Sequence, residues 1–213
     1  MRENGKVIHP FNSKFLSPTK EFRRLSVLLS IYNDSQVSQH KIGRITHLSS
    51  SMVNNYMKAL QEEGLIIITG ETNRSRSYHI TRSGQGELIS LLLAYSAEIV
   101  QLYAAAKREV AERLDNLHSE GIRKVALFGA AETAEVVYAA IRETPLSVKA
   151  VVDSDPKKQG KRFNGFAIQP PEKLKEIDVD AIVITSFGRQ EEIYEQIRLL
   201  LGKGMKVKKL SDL

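Results

Sequence analysis

Apolar residues recur at helical spacing in successive segments near the start of the chain. Over residues 20–33, leucine and aromatic side chains lie three or four positions apart, as on the buried face of an amphipathic helix. A shorter helical segment, Gln39–His47, is followed by a polar break and by a second helical run, Ser51–Glu63, that ends at Gly64. Two helices separated by a short polar turn predict a helix-turn-helix motif.

A β-hairpin is predicted directly after this motif. Leu65–Thr69 and Tyr78–Thr81 have the apolar, β-branched composition of strands, and the polar tip between them carries Arg74 and Arg76. Reading duplex DNA requires a helix thin enough for the major groove, and a basic loop nearby can grip the adjacent phosphates. The order of these elements therefore predicts a winged helix-turn-helix domain that binds DNA.

The second helical run should divide into an apolar and a polar face. Val53, Met57 and Leu60 recur at i, i+4 and i+7 and should face the domain core. The opposite face is short-chained and mostly uncharged, unlike the Glu/Lys-rich face of an ordinary surface helix. Asn can bond adenine twice, and Ser and Lys can contact phosphates. The alternative is a face that is merely solvated. The predicted DNA contacts, including those of the hairpin tip, are Ser50, Ser51, Asn54, Asn55, Lys58, Arg74 and Arg76.

This pattern resembles the MarR-type winged-helix regulators over about residues 20–90. The resemblance rests on the recognition-helix run from Ser51 into the Glu-Glu-Gly-Leu-Ile strand entry, on the wing arginines, and on the exit Tyr78-His-Ile-Thr-Arg-Ser-Gly. It implies wing contacts by Arg74 and Arg76 and binding of a dimer to a palindromic operator. The sequence departs from the family pattern in its short wing, which has no clear acidic anchor before the arginines.

A long helix is predicted between Ser83 and about Ser119, where the chain contains no proline. Apolar residues recur along it at steps of four and three, and this 3.5-residue spacing predicts packing against a partner helix. Two-fold pairing would present two recognition helices at once, so we predict a homodimer formed through residues 88–117. The alternative is a helix that lies across its own chain's domains. The stripe comprises Leu88, Leu92, Tyr95, Ile99, Leu102 and Ala106, and continues at Val110, Leu114 and Leu117.

Strands alternate with helices in the rest of the chain. Apolar strands are predicted at Lys124–Phe128, Val148–Val152 and Asp180–Ser186, with helical runs at Thr133–Arg142 and Gln190–Leu201 and a final short strand at residues 205–210. This alternation predicts right-handed crossovers and a parallel sheet. The predicted fold class is α/β, with an N-terminal winged helix-turn-helix domain, a long connecting helix and a C-terminal Rossmann-like parallel sheet.

A ligand site is predicted at the carboxyl ends of these strands. Gly129 permits a tight turn, the helix after it offers backbone N–H groups to a phosphate, and Asp153 lies where a ribose acceptor usually lies. Alanines at 131 and 134 replace the second and third glycines of the dinucleotide fingerprint, and the alternative is an interaction domain without a ligand. The site would hold NAD(H), a nucleotide sugar or coenzyme A, and its predicted residues are Gly129, Ala130, Ala131, Glu132, Thr133, Asp153 and Ser186.

The run Val151–Lys161, with Asn164-Gly165 and Asp180–Phe187, resembles the small Rossmann domains attached to polysaccharide and nucleotide-sugar enzymes. The resemblance covers about residues 122–211 and implies a doubly wound sheet with a sugar-nucleotide, dinucleotide or coenzyme A ligand. A winged helix followed by such a domain is also similar in architecture to the Rex-type NADH-sensing repressors. The glycine fingerprint of that family is not reproduced in this chain.

The distribution of charge favours DNA binding by the N-terminal half, and the composition excludes some kinds of site. Residues 1–87 carry 12 Lys and Arg against 7 Asp and Glu, a net +5, whereas residues 88–213 carry 19 against 18, a net +1. The basic excess lies in the half with the helix-turn-helix, as contact with phosphates requires. Cysteine is absent, which excludes disulfides and thiolate metal sites. The most apolar segment, Leu88–Ala97, is followed by Glu98 and is expected to be too short to span a bilayer.

These features together predict a cytoplasmic, homodimeric transcription regulator that is not an enzyme and holds no metal. Its predicted segments are an arm (1–19), a winged helix-turn-helix domain (20–87), a dimerisation helix (88–120) and a ligand-sensing domain (121–213). The runner-up is a small enzyme or accessory protein of surface-polysaccharide or nucleotide-sugar metabolism. A third alternative is a C-terminal domain that binds nothing and serves only for dimerisation.

Overall fold

A computed structural model of the chain describes residues 17–72, 75–202 and 204–212. The chain divides into two compact units, Met1–Ile99 and Val100–Leu213, and the boundary falls within one long helix. Most of the predicted arm, residues 1–16, lies outside the described residues.

The N-terminal unit begins with three helices, each of which follows a serine or threonine. They are α1 (Lys20–Asn33), α2 (Gln39–Thr46) and α3 (Ser50–Glu62). In each case the hydroxyl of the preceding residue accepts a backbone N–H from the first turn, an N-cap that typically stabilises a helix by about 1 kcal/mol. The capping residues are Thr19, Ser38 and Ser49.

Helices α2 and α3 meet in a tight turn that requires a glycine. His47 ends α2 in the left-handed conformation, and the N–H of Leu48 donates to the carbonyl of Gly43 at 3.0 Å. A β-carbon at Gly43 would lie 2.8 Å from the Leu48 carbonyl oxygen. The two backbones therefore approach closely only because residue 43 has no side chain.

A two-stranded hairpin completes the helix-turn-helix and its wing. Strand β1 (Ile66–Thr69) pairs antiparallel with β2 (Ser77–Ile80). The N–H of Tyr78 also donates to the Ser35 carbonyl at 2.7 Å, which fastens the hairpin to the connection between α1 and α2. The core of this unit draws on every element, and its members include Leu25, Leu28, Ile31, Ile42, Val53, Met57, Leu60, Ile66, Tyr78 and Leu88.

The C-terminal unit contains a six-stranded mixed sheet. Its elements after the long helix α4 (Arg82–Ser119) are β3 (Lys124–Phe128), α5 (Glu132–Ile141), β4 (Ser147–Val152), β5 (Arg162–Phe163), β6 (Phe166–Gln169), a 3₁₀-helix (Pro171–Glu176), β7 (Ala181–Ile184), α6 (Gln190–Leu201) and β8 (Lys206–Lys209). The strand order is β5-β6-β4-β3-β7-β8. All neighbours pair in parallel except β5 and β6.

The central strands of the sheet, β3 and β7, are buried on both faces because nearly all of their residues are apolar. On β3, Val125 and Leu127 contact one cluster, which includes α5 and the end of α4, whereas Ala126 and Phe128 contact a second cluster, which includes the 3₁₀-helix and α6. Strand side chains alternate between faces, so a strand covered on both sides shows a continuous apolar run.

The sheet contains two strands that the sequence analysis did not predict, β5 and β6. They are joined by Asn164-Gly165, and both linking residues have positive φ, 46° and 92°. Asn-Gly between short apolar strands is a strong hairpin signal, since the tight turn needs left-handed backbone at both positions. The signal was present in the sequence, but strands of two and four residues are too short to show periodicity.

The expectation for the connecting helix needs correction. Leu88 is buried in the core of the N-terminal unit, and Leu92 and Tyr95 are half-buried against it. At the other end, Val110 and Leu114 belong to the core of the C-terminal unit. Much of the predicted stripe is therefore buried within the chain, whereas Leu102 and Ala106 of the same stripe are exposed. The large apolar side chains that remain exposed on α4 are Ile89, Leu93, Val100, Leu102 and Tyr103.

The apolar run in this helix is longer than the sequence analysis expected. By length and composition alone, Arg82–Ser119 qualifies as a helix that could cross a bilayer. Glu98 is the single charged residue between Glu87 and Lys107, so it does not end the apolar run as was expected. Within this run Leu88 is buried in the core of the N-terminal unit, and Leu91, Leu92 and Tyr95 are half-buried against it.

Candidate nucleic-acid interface and ligand cleft

Helix α3 presents a short polar face to solvent. Val53, Met57 and Leu60 are buried, as the periodicity predicted, and hold the helix against the core. The opposite side chains are therefore turned away from the protein. Among the predicted contacts on α3, Asn54 is half-buried, whereas the exposed ones are Ser50, Ser51, Asn55 and Lys58. A convex helix with short polar side chains and one cation can enter a DNA groove without first breaking internal contacts.

The wing continues this polar surface. Arg76 is exposed just before β2, and the second predicted wing cation, Arg74, lies outside the described residues. Thr72 and Ser75 are joined by backbone and side-chain hydrogen bonds, among them Ser75 N–H to the Thr72 carbonyl at 3.0 Å. These bonds hold Ser75 against Thr72, and the side chain of Arg76, the next residue, is exposed.

Arg24 fixes the far end of α3. Its guanidinium donates to both carboxylate oxygens of Glu63, at the end of α3, and its Nε donates to Glu87 of α4 at 3.0 Å. The hydrogen bond from Arg24 lowers the pKa of Glu63, and the pKa of Arg24 is raised in turn. This bridge orients α3 against two other helices of the same unit.

One exposed cation near α3 was not predicted. Arg44 lies in the last turn of α2, the first helix of the helix-turn-helix, and its side chain is exposed. In this motif the first helix crosses the phosphate backbone. Its position on α2 could have marked it as a candidate phosphate contact, but the sequence analysis examined only the second helix and the wing.

A second candidate site lies at the carboxyl ends of the parallel strands. There the loops after β3, β4 and β7 enclose a cleft of about 200 Å³. Gly129 follows β3 with φ 111°, and a β-carbon at this position would lie 2.9 Å from the hydroxyl of Thr185. That hydroxyl lies 2.8 Å from the Phe128 carbonyl oxygen and 2.7 Å from that of Gly129. Glycine is thus required here by the contact between β3 and β7 as well as by backbone conformation.

Asp153 is buried at the centre of the cleft and is fully engaged by the protein. Its Oδ2 accepts the Ala130 N–H at 2.8 Å and the Lys158 ammonium at 2.9 Å, and its Oδ1 accepts the Asp155 N–H at 2.9 Å. Burial raises the pKa of Asp153, but these hydrogen bonds together outweigh burial and hold the pKa below its ordinary value. Because Ala130 donates to this carboxylate, its N–H points to Asp153 rather than to a bound phosphate.

Two basic side chains and two helix starts surround the cleft. Lys158 pairs with Asp153, and Arg189 pairs with Glu192 through two hydrogen bonds of 2.8 and 2.5 Å. Helix α5 begins beside the cleft and has no side-chain cap, and the same is true of α6, whose N-cap is Arg189. Free N–H groups at helix starts attract anions. The acidic residues in both first turns, among them Glu132 and Glu191, oppose that attraction.

The structure brings together six of the seven residues predicted for the ligand site. Gly129, Ala130, Ala131, Thr133, Asp153 and Ser186 all line the cleft. Glu132 begins α5, but its exposed side chain is not part of the lining. The sequence analysis missed the lining residues Lys158, Thr185 and Arg189. Arg189 directly follows Ser-Phe-Gly at the end of a predicted strand, a position that could have identified it.

No group of three or more His, Asp or Glu side chains that could hold a metal ion occurs among residues 17–72, 75–202 and 204–212. The fold and the two surfaces define a protein of two parts: a winged helix-turn-helix unit, and an α/β unit with a polar cleft at the carboxyl edge of its sheet.

Two family models match parts of the chain. One, described as winged helix-turn-helix DNA-binding, matches residues 23–67, and the other, described as C2185-like, N-terminal, matches residues 121–207. The first confirms the winged helix-turn-helix prediction, and the second coincides with the mixed sheet. Each model covers less than half of the 213 residues. No curated protein matches the chain.

Solved structures resemble the chain at low identity. MepR, a transcription regulator of the Staphylococcus aureus multidrug efflux pump MepA, is 17% identical with a TM-score of 0.35, over 46% of this chain and 74% of MepR. A probable transcriptional regulator from Pseudomonas aeruginosa is 20% identical with a TM-score of 0.36, over 51% and 80%. Bordetella bronchiseptica BpsR is 15% identical with a TM-score of 0.33, over 37% and 61%, so this chain spans less than two thirds of BpsR. Similarity this low assigns no function to the chain.

Proposed function

We propose that the protein is a cytoplasmic transcription regulator of MarR-like type, which binds duplex DNA through its winged helix-turn-helix. The observation that carries this proposal is the exposed face of α3, where Ser51, Asn55 and Lys58 project from a helix whose other face is locked into the core. A wing with exposed Arg76 belongs to the same unit, and the net charge of +5 over residues 1–87 favours contact with phosphates.

The residues divide by the kind of contact that they can make. Asn54 and Asn55 would read base edges in the major groove, since an amide offers adenine one donor and one acceptor. Ser50 and Ser51, at the start of α3, would bond a phosphate or a base edge. Lys58, Arg74 and Arg76 would neutralise phosphates, which positions the protein without selecting a sequence.

The functional form would be a homodimer paired through the connecting helix. Ile89, Leu93, Val100 and Tyr103 are exposed and follow one another at steps of four, seven and three, which places them on one side of α4. This stripe replaces the one expected from the sequence, much of which is used inside the chain. A two-fold axis would pair two copies of α3 with a palindromic operator.

The C-terminal unit would be a Rossmann-like sensor of a nucleotide-containing metabolite such as NAD(H), a nucleotide sugar or coenzyme A. Its five parallel strands follow the order third, second, first, fourth, fifth, which is the doubly wound order. In such sheets ligands bind where the order reverses, and here Gly129 and Thr185 meet at that point. Lys158 and Arg189 line the same cleft, and a phosphate there would compete with their present partners, Asp153 and Glu192. A ligand that favours one arrangement of the protein would then shift DNA binding.

Selection of bound duplexes from a random pool, followed by fluorescence anisotropy, tests the DNA-binding proposal. The selected sequence should be palindromic, and light scattering should give the mass of a dimer. Asn55→Ala should reduce the preference for the selected over a scrambled duplex by about tenfold, since one bidentate contact contributes on the order of 1–3 kcal/mol of discrimination. Asn116→Ala, an exposed asparagine on α4, is the matched control. Equal loss on both duplexes for Asn55→Ala would contradict the base-reading role.

A further inference from the structure

A second cleft in the C-terminal unit is lined by the loop that follows β7 and by the connecting helix. Its volume is about 260 Å³, and its lining combines four apolar side chains with the polar residues Glu109, Arg113, Gln190 and Ser211. Ala106 and Val110 of α4 contribute to it, together with Phe187 of the loop and Leu210 near the chain end. Phe187 is 66% exposed. A ligand that covered this ring would bury apolar surface, which is favourable.

Gln190 holds the walls of this cleft in place. Its Nε2 donates to the Phe187 carbonyl at 3.2 Å, and its Oε1 accepts the Ser211 N–H at 3.0 Å. The side-chain amide of Gln190 therefore connects two walls of the cleft, the loop after β7 and the segment at Ser211. The cleft is preformed in the described structure, and Phe187 is held at its mouth by the backbone rather than by packing of its ring.

The same loop also lines the polar cleft at the edge of the sheet. Ser186 and Arg189 belong to the polar cleft, whereas Phe187 and Gln190 belong to the apolar one. The two clefts thus share the five-residue segment Ser186–Gln190, four of whose residues line one cleft or the other. A nucleoside diphosphate has two corresponding parts. Its anionic diphosphate would suit the polar cleft, and its flat ring, which is linked to the diphosphate through a sugar, would suit the apolar cleft.

We propose that the apolar cleft is the ring subsite of the ligand, with the ring stacked on Phe187 and the phosphates beside Lys158 and Arg189. This inference rests on the proposed ligand function of the polar cleft. It names the ligand class as a nucleoside diphosphate or a larger compound that contains one. A ring in this position lies against Ala106 and Val110 of α4, the helix that continues into the N-terminal unit. Occupancy would thereby act directly on the helix that carries the winged helix-turn-helix.

Calorimetry on the full chain tests the ring subsite. The probes are inorganic pyrophosphate, ADP, UDP and NADH, titrated into wild type and into Phe187→Ala, Arg189→Ala and Leu199→Ala. Leu199 is 88% exposed on α6 and lines neither cleft, so it is the matched apolar control. Phe187→Ala should weaken the tightest nucleotide about tenfold, because stacking of a base on an aromatic ring contributes roughly 1–3 kcal/mol. Pyrophosphate affinity should be unchanged in Phe187→Ala, whereas Arg189→Ala should weaken both kinds of probe.

Two failures can be told apart. If nucleotides bind, and Arg189→Ala weakens them while Phe187→Ala leaves them within twofold, the polar cleft stands and the ring subsite is wrong. If no probe binds, or if Arg189→Ala changes nothing, the proposed ligand function fails and the ring subsite fails with it. Ala106→Phe, which fills the recess without removing a wall, provides a second variant and should also block nucleotides but not pyrophosphate. Thermal unfolding of each variant shows whether it is folded.

Discussion

The two candidate sites differ in what their residues do for the protein itself. On α3, Asn55 and Lys58 project from a helix whose stability comes from its opposite face. In the cleft, Gly129, Asp153 and Thr185 make the contacts that hold the ends of three strands together. Substitution on α3 should therefore change binding and leave folding intact, whereas substitution in the cleft should change folding first. A role in ligand binding can be tested there only with variants that preserve these internal contacts.

The largest effect is expected from Gly129→Ala. The new β-carbon would meet the Thr185 hydroxyl at 2.9 Å, on a backbone with φ of 111° that alanine rarely adopts. Together these should lower the free energy of unfolding of the C-terminal unit by about 3 kcal/mol. Urea unfolding followed by circular dichroism measures the change.

Gly188→Ala is the control for this experiment, because a β-carbon there would meet nothing within 4 Å. It should change stability by less than about 0.5 kcal/mol, as should Asn55→Ala on α3. A loss of 3 kcal/mol for Asn55→Ala, or no loss for Gly129→Ala, would break the contrast between the two sites.

Sequence periodicity revealed the elements but not the contacts that make the cleft. The sequence analysis placed α1, β3 and α6 at the bounds seen in the structure, because each combines a regular apolar pattern with a clear start or end. It also identified Gly129 and Asp153. The partners of these residues could not be predicted, since Thr185 lies 56 residues from Gly129 along the chain. Only the order of strands brings them together.

The connecting helix illustrates a different limit. Its heptad spacing correctly predicted a long helix, but spacing alone does not say which partner a stripe faces. Leu88 and Leu114 occupy the same predicted stripe, yet each packs in the core of a different unit of the same chain. The exposed stripe on α4 could be identified only after the structure showed which apolar residues of this helix are buried.

An intermediate effect, dependent on pH, is expected from Asp153→Asn. The folded-state pKa of Asp153 is lowered, so its ionised form stabilises the fold above the unfolded pKa of about 3.9, and this stabilisation is lost as pH falls through the folded-state pKa. Asp153→Asn should cost about 2 kcal/mol at about pH 7, and the cost should decrease as the pH is lowered towards about 3. Urea unfolding at both pH values measures the difference. Asp115→Asn, at an exposed position on α4, should cost little at either.

If Asp153→Asn were equally destabilising at both pH values, the negative charge would be irrelevant, and the shape of the side chain alone would matter. The contribution of Asp153 to stability would then come from packing, as it does for a residue of the hydrophobic core.

The smallest effect is expected from Arg76→Ala, and it separates positioning from sequence reading within the DNA surface. Arg76 is exposed at the wing, so its loss should not alter stability, and it should weaken selected and scrambled duplexes by the same factor. The slope of log affinity against log salt should become shallower by about one unit, because one fewer counterion is released. Anisotropy titrations between about 50 and 200 mM salt measure this slope. Arg142→Ala, an exposed arginine after α5, should leave the slope unchanged. If Arg76→Ala instead reduced affinity only for the selected duplex, the wing would read bases, and the division of labour between α3 and the wing would be wrong.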